Sequence, residues 1–304
     1  VIPARRGGPP LALWLASILC LEAGRVEAGA WLREPGEAYA KGSVARLTAD
    51  EIFDAEGERR SLEDPALYAD PRYREVNASL YTEYGALPWL TVIGSVPLKL
   101  AERDAQALVP VGDIEGSSFG LGDLHLGARL PLYRGTWRAA VEPDLKIPLY
   151  GRPDAGSDDP ELGSGFVDFG AAAVAGAGIP GVRGYAQASL GYRIRGGSTS
   201  EEVYWDAEAG FEPFGAVRTR FRYDGIDSQG AGGGVAPADG APVPSAGEQD
   251  HQRIAPTLGF GFGGTTELSI TWRRVVAGRS TLASSEWEIA LSFMGRVLPE
   301  ASSR

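Results

Sequence analysis

Between Gly122 and Gly151 the chain reads GDLHLGARLPLYRGTWRAAVEPDLKIPLYG, and its apolar residues return at every second position. Leu124, Leu126, Ala128, Leu130 and Leu132 share one face, while Asp123, His125, Gly127, Arg129 and Pro131 share the other. After the turn YRGT, Trp137, Ala139, Val141, Pro143, Leu145, Ile147 and Leu149 alternate with Arg138, Ala140, Glu142, Asp144, Lys146 and Pro148. A side-chain period of two specifies strands, here joined as a hairpin. The charged face is too dense for a sheet covered on both sides. Either the apolar face meets a soluble core, or it meets lipid while the charged face lines a wet interior.

The same alternation recurs beyond Trp31, in runs that suit strands of about ten residues. They are YAKGSVARLTA, VNASLYTEYGAL, LTVIGSVPLKL, the two strands of the hairpin above, FVDFGAAAVAGAG, RGYAQASLGYRIR, VYWDAEAGFEPF, VRTRFRYDG, RIAPTLGFGFG, ELSITWRRVV and EWEIALSFMGRV. This predicts about twelve strands. The connections alternate too. PW, YRGT, IPGV, FGA and GGTT read as tight turns. Between them stand longer polar stretches, among them 50–75, 101–118, 151–165, 196–202, 226–251 and 277–285. Tight turns on one side, long loops on the other and an even strand number are the habit of outer-membrane barrels. The expected fold class is therefore all-β: a transmembrane antiparallel up-and-down β-barrel with short periplasmic turns and long extracellular loops. The Gly, Ala and Pro-rich stretch from Ile226 to Asp250 is expected to be a mobile external loop.

Composition agrees with a barrel rather than a helical membrane protein. The chain of 304 residues has 42 Gly, 7 Trp, 1 Cys and 1 Met, with a mean hydropathy just below zero. Only LALWLASILCL, Leu11 to Leu21, is continuously apolar, and it is shorter than the roughly 20 residues that span a bilayer as a helix. It follows ARRGGPP and precedes a V-x-A site ending at Ala28, the arrangement of a secretory signal peptide. Cys20 would suit a lipoprotein, but Leu19 stands where a small residue is needed. The expected organisation is a cleaved signal peptide at 1–28, an outer-membrane barrel at 29–298 and a short tail at 299–304. Export leaves a mature chain without cysteine, and a closed ladder of hydrogen bonds supplies the stability that disulfides do not. The net charge of −11 argues against nucleic acid as a partner.

Three runs carry a family resemblance: the stretch opening GAWLREPGEAYAKGSVARLTA, then SLYTEYGALPWLTVIGSVPLK, then GLGDLHLGARLPLYRG. Between about Gly29 and Leu149 the chain resembles the XagA-like outer-membrane proteins and transporter-type barrels of the phenol-degradation kind. The resemblance implies an outer-membrane barrel associated in some members with exopolysaccharide or biofilm and in others with passage of small organic compounds. Such barrels often end on an aromatic residue, whereas this chain continues past Phe293.

Alternation assigns charges to the lumen on most strands. From the hairpin come Asp123, His125, Arg129, Arg138, Glu142, Asp144 and Lys146. Glu83, Lys99, Asp168, Arg193, Arg195, Asp224, Arg253, Glu267, Arg273 and Glu288 join them from other strands. Two ladders stand out: Asp206, Glu208 and Glu212, followed after one turn by Arg218, Arg220 and Arg222. Antiparallel pairing is expected to set these opposite charges face to face, either bracing the wall or orienting polar solutes. Trp137, Trp205, Trp272, Trp287 and Phe214 sit near strand ends, where interfacial girdles lie.

Catalysis has little support. The two histidines, His125 and His251, stand in contexts with no nucleophile elbow. Acidic runs at Asp54 to Glu58 and Asp154 to Glu161 lack the spacing of an EF-hand. No enzyme activity, metal or cofactor is expected. Expected partners are outer-membrane lipid or lipopolysaccharide, the barrel-assembly machinery, and a small solute or polysaccharide. The reading is a passive channel for small polar or organic solutes, or an exopolysaccharide conduit. The rival is a surface protein of biofilm or adhesion with a closed lumen, acting through its loops. A soluble periplasmic β protein is the remote third. Prolines inside strands, above all Pro143 and Pro256, predict a bulge or local gap beside them.

Overall fold

The computed structural model describes residues 29–62, 68–108, 113–151, 159–197, 200–229 and 249–297. The expected signal peptide at 1–28, the expected tail at 299–304 and most of the Gly-rich stretch, 230–248, lie outside the described residues.

The alternating runs form one closed antiparallel barrel of twelve staves. In chain order the strands are β1 (Glu37–Ala49), β2 (Glu51–Phe53), β3 (Arg59–Ser61), β4 (Tyr68–Leu87), β5 (Leu90–Ala107), β6 (Ile114–Leu121), β7 (Asp123–Arg134), β8 (Trp137–Pro148), β9 (Asp168–Gly178), β10 (Gly184–Ile194), β11 (Glu202–Phe214), β12 (Val217–Ser228), β13 (Asp250–Phe262), β14 (Thr266–Arg279), β15 (Thr281–Leu282) and β16 (Ser285–Arg296). β6 and β7 make one stave broken at Gly122, whose N–H donates to Pro97 O at 2.9 Å. Closure runs through β1, which pairs with β16 on one side and β4 on the other, from Glu37 opposite Arg296 to Thr48 opposite Ser285. A closed ladder leaves no open edge, so every stave finds hydrogen-bond partners on both sides.

Side chains sort by the period the sequence announced. On β9, DFGAAAVAGAG, the inner positions Asp168, Gly170, Ala172, Val174 and Gly176 are buried and the outer ones exposed. Leu132 is 68 % exposed and Leu126, Leu190, Phe221, Ile289 and Leu291 also point outward, a belt that water would penalise and hydrocarbon accepts. The charged face thus lines the interior. Trp137 lies at the turn end of β8 and packs on Tyr133, ring centroids 4.5 Å apart. Trp287 lies near the long-loop end of β16, in register with Trp272. All the tight turns fall at the end where β1 begins and β16 finishes.

Two stretches differ from expectation. Residues 68–75, assigned to a long loop, extend β4 to 20 residues. Residues 101–107 and 114–118 likewise belong to β5 and β6. The alternation persists there, but its outer positions are Arg74, Glu102 and Ser117 rather than apolar, because these ends project past the lipid belt. Above them β2, β3 and β15 form a small sheet, held on the barrel by the cluster of Phe53, Val275 and Ala283. Beside Pro143 and Pro256 the ladders toward β7 and β14 lapse for two residues, the local gaps expected where an N–H is missing.

Candidate functional site

The lumen is occupied by the chain itself. Residues 29–36 run inside the barrel at its turn end. The Trp31 ring stands edge-on to Tyr185 at 5.8 Å, and Ala30 packs on Ala172 and Val174 of β9. Small residues on the wall make room. A Cβ at Gly176 would come within 3.0 Å of the Trp31 ring, and one at Gly85 would stand 2.0 Å from Glu34 O. The segment turns back into β1 at Gly36, whose φ of 81° suits glycine, and Gly36 N–H donates to Gly85 O at 2.8 Å.

Its polar groups complete a buried network. Arg33 Nε donates to Glu83 Oε2 at 2.6 Å, Arg33 N–H donates to Thr91 Oγ1 at 2.9 Å, and Arg129 Nη1 donates to Trp31 O at 2.9 Å. Arg129 also reaches Glu83 at 3.2 Å and Glu142 at 2.5 Å, while Tyr81 OH donates to Glu83 at 2.6 Å. Glu83 is only 2 % exposed, so its charge is held by two guanidinium groups and a phenol in place of water. These contacts tie the plug to β4, β5, β7, β9 and β10.

A second element folds inward at the long-loop end. Leu162 is buried against Ala49, Tyr73 and Ala101, on the far side of β6 from the strands that carry its loop. Ser117 N–H donates to Asp159 Oδ1 at 3.1 Å, and Lys146 Nζ donates to Ser164 Oγ at 2.5 Å. Gly165 N–H donates to Tyr150 OH at 2.7 Å, and Tyr150 OH donates to Asp123 at 3.2 Å. Burial, with the Asp123 carboxylate beside it, holds the Tyr150 phenol above its ordinary range.

The alternation placed the lumen charges on the right face, but their partners differ from the expected ladders. Asp206 pairs with Arg222 at 2.7 Å as expected. Arg218 and Arg220 instead both reach Glu267 of β14, at 2.9 and 2.5 Å. They cross the inner face of β13, where Gly259 and Gly261 offer no side chain to block them. Glu208 accepts from Tyr185 OH, and Glu212 lies 3.7 Å from Arg183 beyond the turn. The two ladders fail as a set because register puts Asp206 opposite Asp224 and Arg220 opposite Gly210, which leaves Glu208 and Arg222 as the one oppositely charged pair of the ladders face to face.

Elsewhere the structure joins residues that sequence order separates. Lys146 contacts Asp168 and lies 3.8 Å from Asp123. Arg193 stands 3.1 Å from Glu202 and 3.8 Å from Asp144, with its guanidinium 4.7 Å from the centre of the Tyr204 ring. Lys41 and Arg273 share Glu288 at 2.7 and 2.8 Å, and Lys99 lies 3.6 Å from Glu75. Arg138 donates to Gly135 O at the turn. His125 stands in register with Ser95 and Lys146 and makes no hydrogen bond or ion pair among the described residues. Most of these cations are half-buried. Arg222 and Arg253 are the accessible pair, 48 % and 37 % exposed, flanking Asp224 at 3.6 and 2.6 Å.

Sequence reasoning missed Arg33, Trp31 and Leu162, which lie in no periodic run. The signal for the plug was the inner face of β9, whose Gly170, Ala172, Val174 and Gly176 are too small to fill a lumen by themselves.

This architecture recurs in a solved structure, the COG4313 outer membrane channel from Pseudomonas putida F1. The two superpose with a TM-score of 0.63 at 14 % identity, over 89 % of this chain and 100 % of that one. The chain has the fold of an outer-membrane β-barrel. More distant resemblances include the NanC porin (TM-score 0.47, 8 % identity, 83 % of this chain and 98 % of that one) and the CymD monoaromatic hydrocarbon channel (TM-score 0.43, 8 % identity, 88 % and 90 %). No family model matches the chain, and no curated protein matches its sequence. The XagA-like resemblance therefore has no family model behind it.

Proposed function

We propose that the protein is an outer-membrane channel for the passive entry of small polar or organic solutes. The observation that carries this reading is the accessible cationic strip of Arg222 and Arg253 inside a closed barrel with an apolar exterior. The plug contacts named above lie on other staves, which leaves the β12–β13 wall as the hydrated side of the lumen. An anionic solute, or the carboxylate of a small organic acid, would meet these two arginines beside Asp224. Charged side chains at a constriction select among solutes by sign. A barrel of twelve strands narrowed by a plug admits only small or extended molecules. The resemblance to phenol-degradation-type barrels is consistent with an aromatic acid.

A second reading keeps a specific observation in its favour. The plug and the inward-folded residues 159–167 obstruct the lumen from both ends, as a closed-lumen surface protein of biofilm or adhesion would require. Single-channel recording in a planar bilayer separates the two. A channel shows discrete steps whose reversal potential in a salt gradient shifts toward cation selectivity on Arg222→Gln and Arg253→Gln. A barrel that inserts without current, and stays silent when residues 29–36 are deleted, moves the function to the loops.

A further inference from the structure

We propose that Arg46, Arg74 and Arg274, gathered around the Trp272 and Trp287 pair on the outer wall, bind the phosphate of an outer-leaflet lipid headgroup. The proposal rests on the reading of the chain as an outer-membrane barrel. On three of four consecutive staves, the first polar side chain beyond the lipid-facing run toward the long loops is an arginine. β1 passes from Val44 to Arg46, β4 from Val76 to Arg74, and β14 from Ile270 and Trp272 to Arg274. The fourth, β16, lies between β14 and β1 and carries Trp287 and Ser285 at the corresponding positions.

Register brings these groups together. Arg46 is opposite Trp287, which is opposite Trp272. In the next row Arg274 is opposite Ser285, Ser285 opposite Thr48, and Thr48 opposite Arg74. Arg46 therefore sits diagonally from Arg74, about 7–8 Å away along the wall, and two staves, roughly 10 Å, from the Trp272 and Arg274 strand. Trp287 is 60 % exposed, its ring 6.4 Å from that of Trp272, and Trp272 Nε1 donates to Ser285 Oγ at 2.8 Å. The pair offers a fixed amphipathic platform at the depth where acyl chains give way to headgroups.

Charge decides the occupant. Glu102 stands opposite Arg74, yet none of the three arginines forms an ion pair or hydrogen bond with a carboxylate among the described residues. The lumen arginines, by contrast, face carboxylates. The long-loop ends of β11 and β12 carry Glu201 and Asp227. A chain of net charge −11 would be repelled by an anionic leaflet, and this patch is the local reversal. Outward position, an aromatic platform and three guanidinium groups with no carboxylate partner among the described residues together fit a phosphate carried on an acyl lipid.

The test uses the purified full barrel in detergent, titrated with bis-phosphorylated lipid A, its dephosphorylated form, and inorganic phosphate, with bound lipid read by native mass spectrometry. Each arginine near a charged surface contributes about a five-fold change in binding. The expected result is that Arg46→Gln, Arg74→Gln and Arg274→Gln together weaken lipid A binding roughly a hundred-fold. Dephosphorylated lipid should bind the wild type comparably weakly. Arg183→Gln, at the opposite rim, should bind lipid A as the wild type does. Folding of each variant is verified by the heat-modifiable gel shift, and the single variants serve if the triple variant does not fold. Equal binding by wild type and variants, or of both lipid forms, overturns the proposal. Competition by millimolar inorganic phosphate overturns it in favour of a free-anion site. Failure of the wild type to insert into vesicles, a separate readout, would instead overturn the barrel reading beneath it.

Discussion

Arg33 Nε lies 2.6 Å from Glu83 Oε2, an ion pair inside the barrel between a segment with no secondary structure and a strand 50 residues further on. Removing one partner of a buried pair leaves the other charge without compensation, at a cost of about 3–5 kcal/mol. Glu83→Gln is therefore expected to release the plug, since Arg33 and Arg129 would lose the carboxylate they share. Single-channel conductance should rise several-fold, and the thermal midpoint of the gel-mobility shift should fall. Unchanged conductance would show that the passage does not run past the plug.

Steric eviction provides a charge-neutral version of the same experiment. Gly85→Val places a side chain where Glu34 O now sits, and the wall cannot yield because the close atom is backbone. The barrel should still fold, since position 85 keeps strand geometry, while protease sensitivity of residues 29–36 from the turn side should increase. Gly42→Val, where a Cβ meets open space, is the control and should behave as wild type.

The arginines of β12 should separate by exposure. Arg222 is accessible, whereas Arg218 and Arg220 are locked on Glu267. Arg222→Gln is expected to shift ion selectivity with little effect on stability. Glu267→Gln should do the opposite, lowering stability by about 3–5 kcal/mol as two guanidinium groups lose their common partner. Reversal potentials in a salt gradient and urea-induced unfolding in lipid vesicles measure the two effects.

The exterior can be tested by depth. Leu132 and Leu190 are fully outward, Leu132 near the turn end of β7 and Leu190 in the middle of β10. Leu190→Arg should cost about 2–4 kcal/mol of folding stability in a bilayer, and Leu132→Arg close to nothing up to about 1 kcal/mol. Equal costs at the two positions would contradict the assigned lipid belt.

These predictions draw on parts of the molecule that were unequally legible in the chain. The wall could be read directly: a period of two sent Leu126 outward and Arg129 inward, and the tight turns at PW, YRGT and GGTT set the hairpins. Pairing between neighbours followed less well. Arg218 and Arg220 skip a strand to Glu267 because Gly259 and Gly261 leave the intervening face bare, and side-chain reach is not a property of one strand's pattern. The ends of β4 and β5 read as loops in the sequence because their outer residues turn polar where lipid stops, although the ladder continues. Residues 29–36 had no periodicity at all. What specified them was the absence of bulk elsewhere, on β9 and at Gly85, which is visible only once those strands are brought round a common axis.

Arg33 Nη1 stands 3.2 Å from Met294 Sδ, a contact that joins positions 261 residues apart. Its pocket borrows walls from β4, β5, β7 and β16, so the pocket does not exist until the last strand has zipped onto the first. Contacts of such sequence separation form late, after the long loop between their ends has been closed. The earliest of the described residues therefore dock last. The cylinder must close around a segment of its own chain, so that sealing the wall and stowing the cargo are one final step, and a barrel that sealed first would have to admit the segment through its turn end.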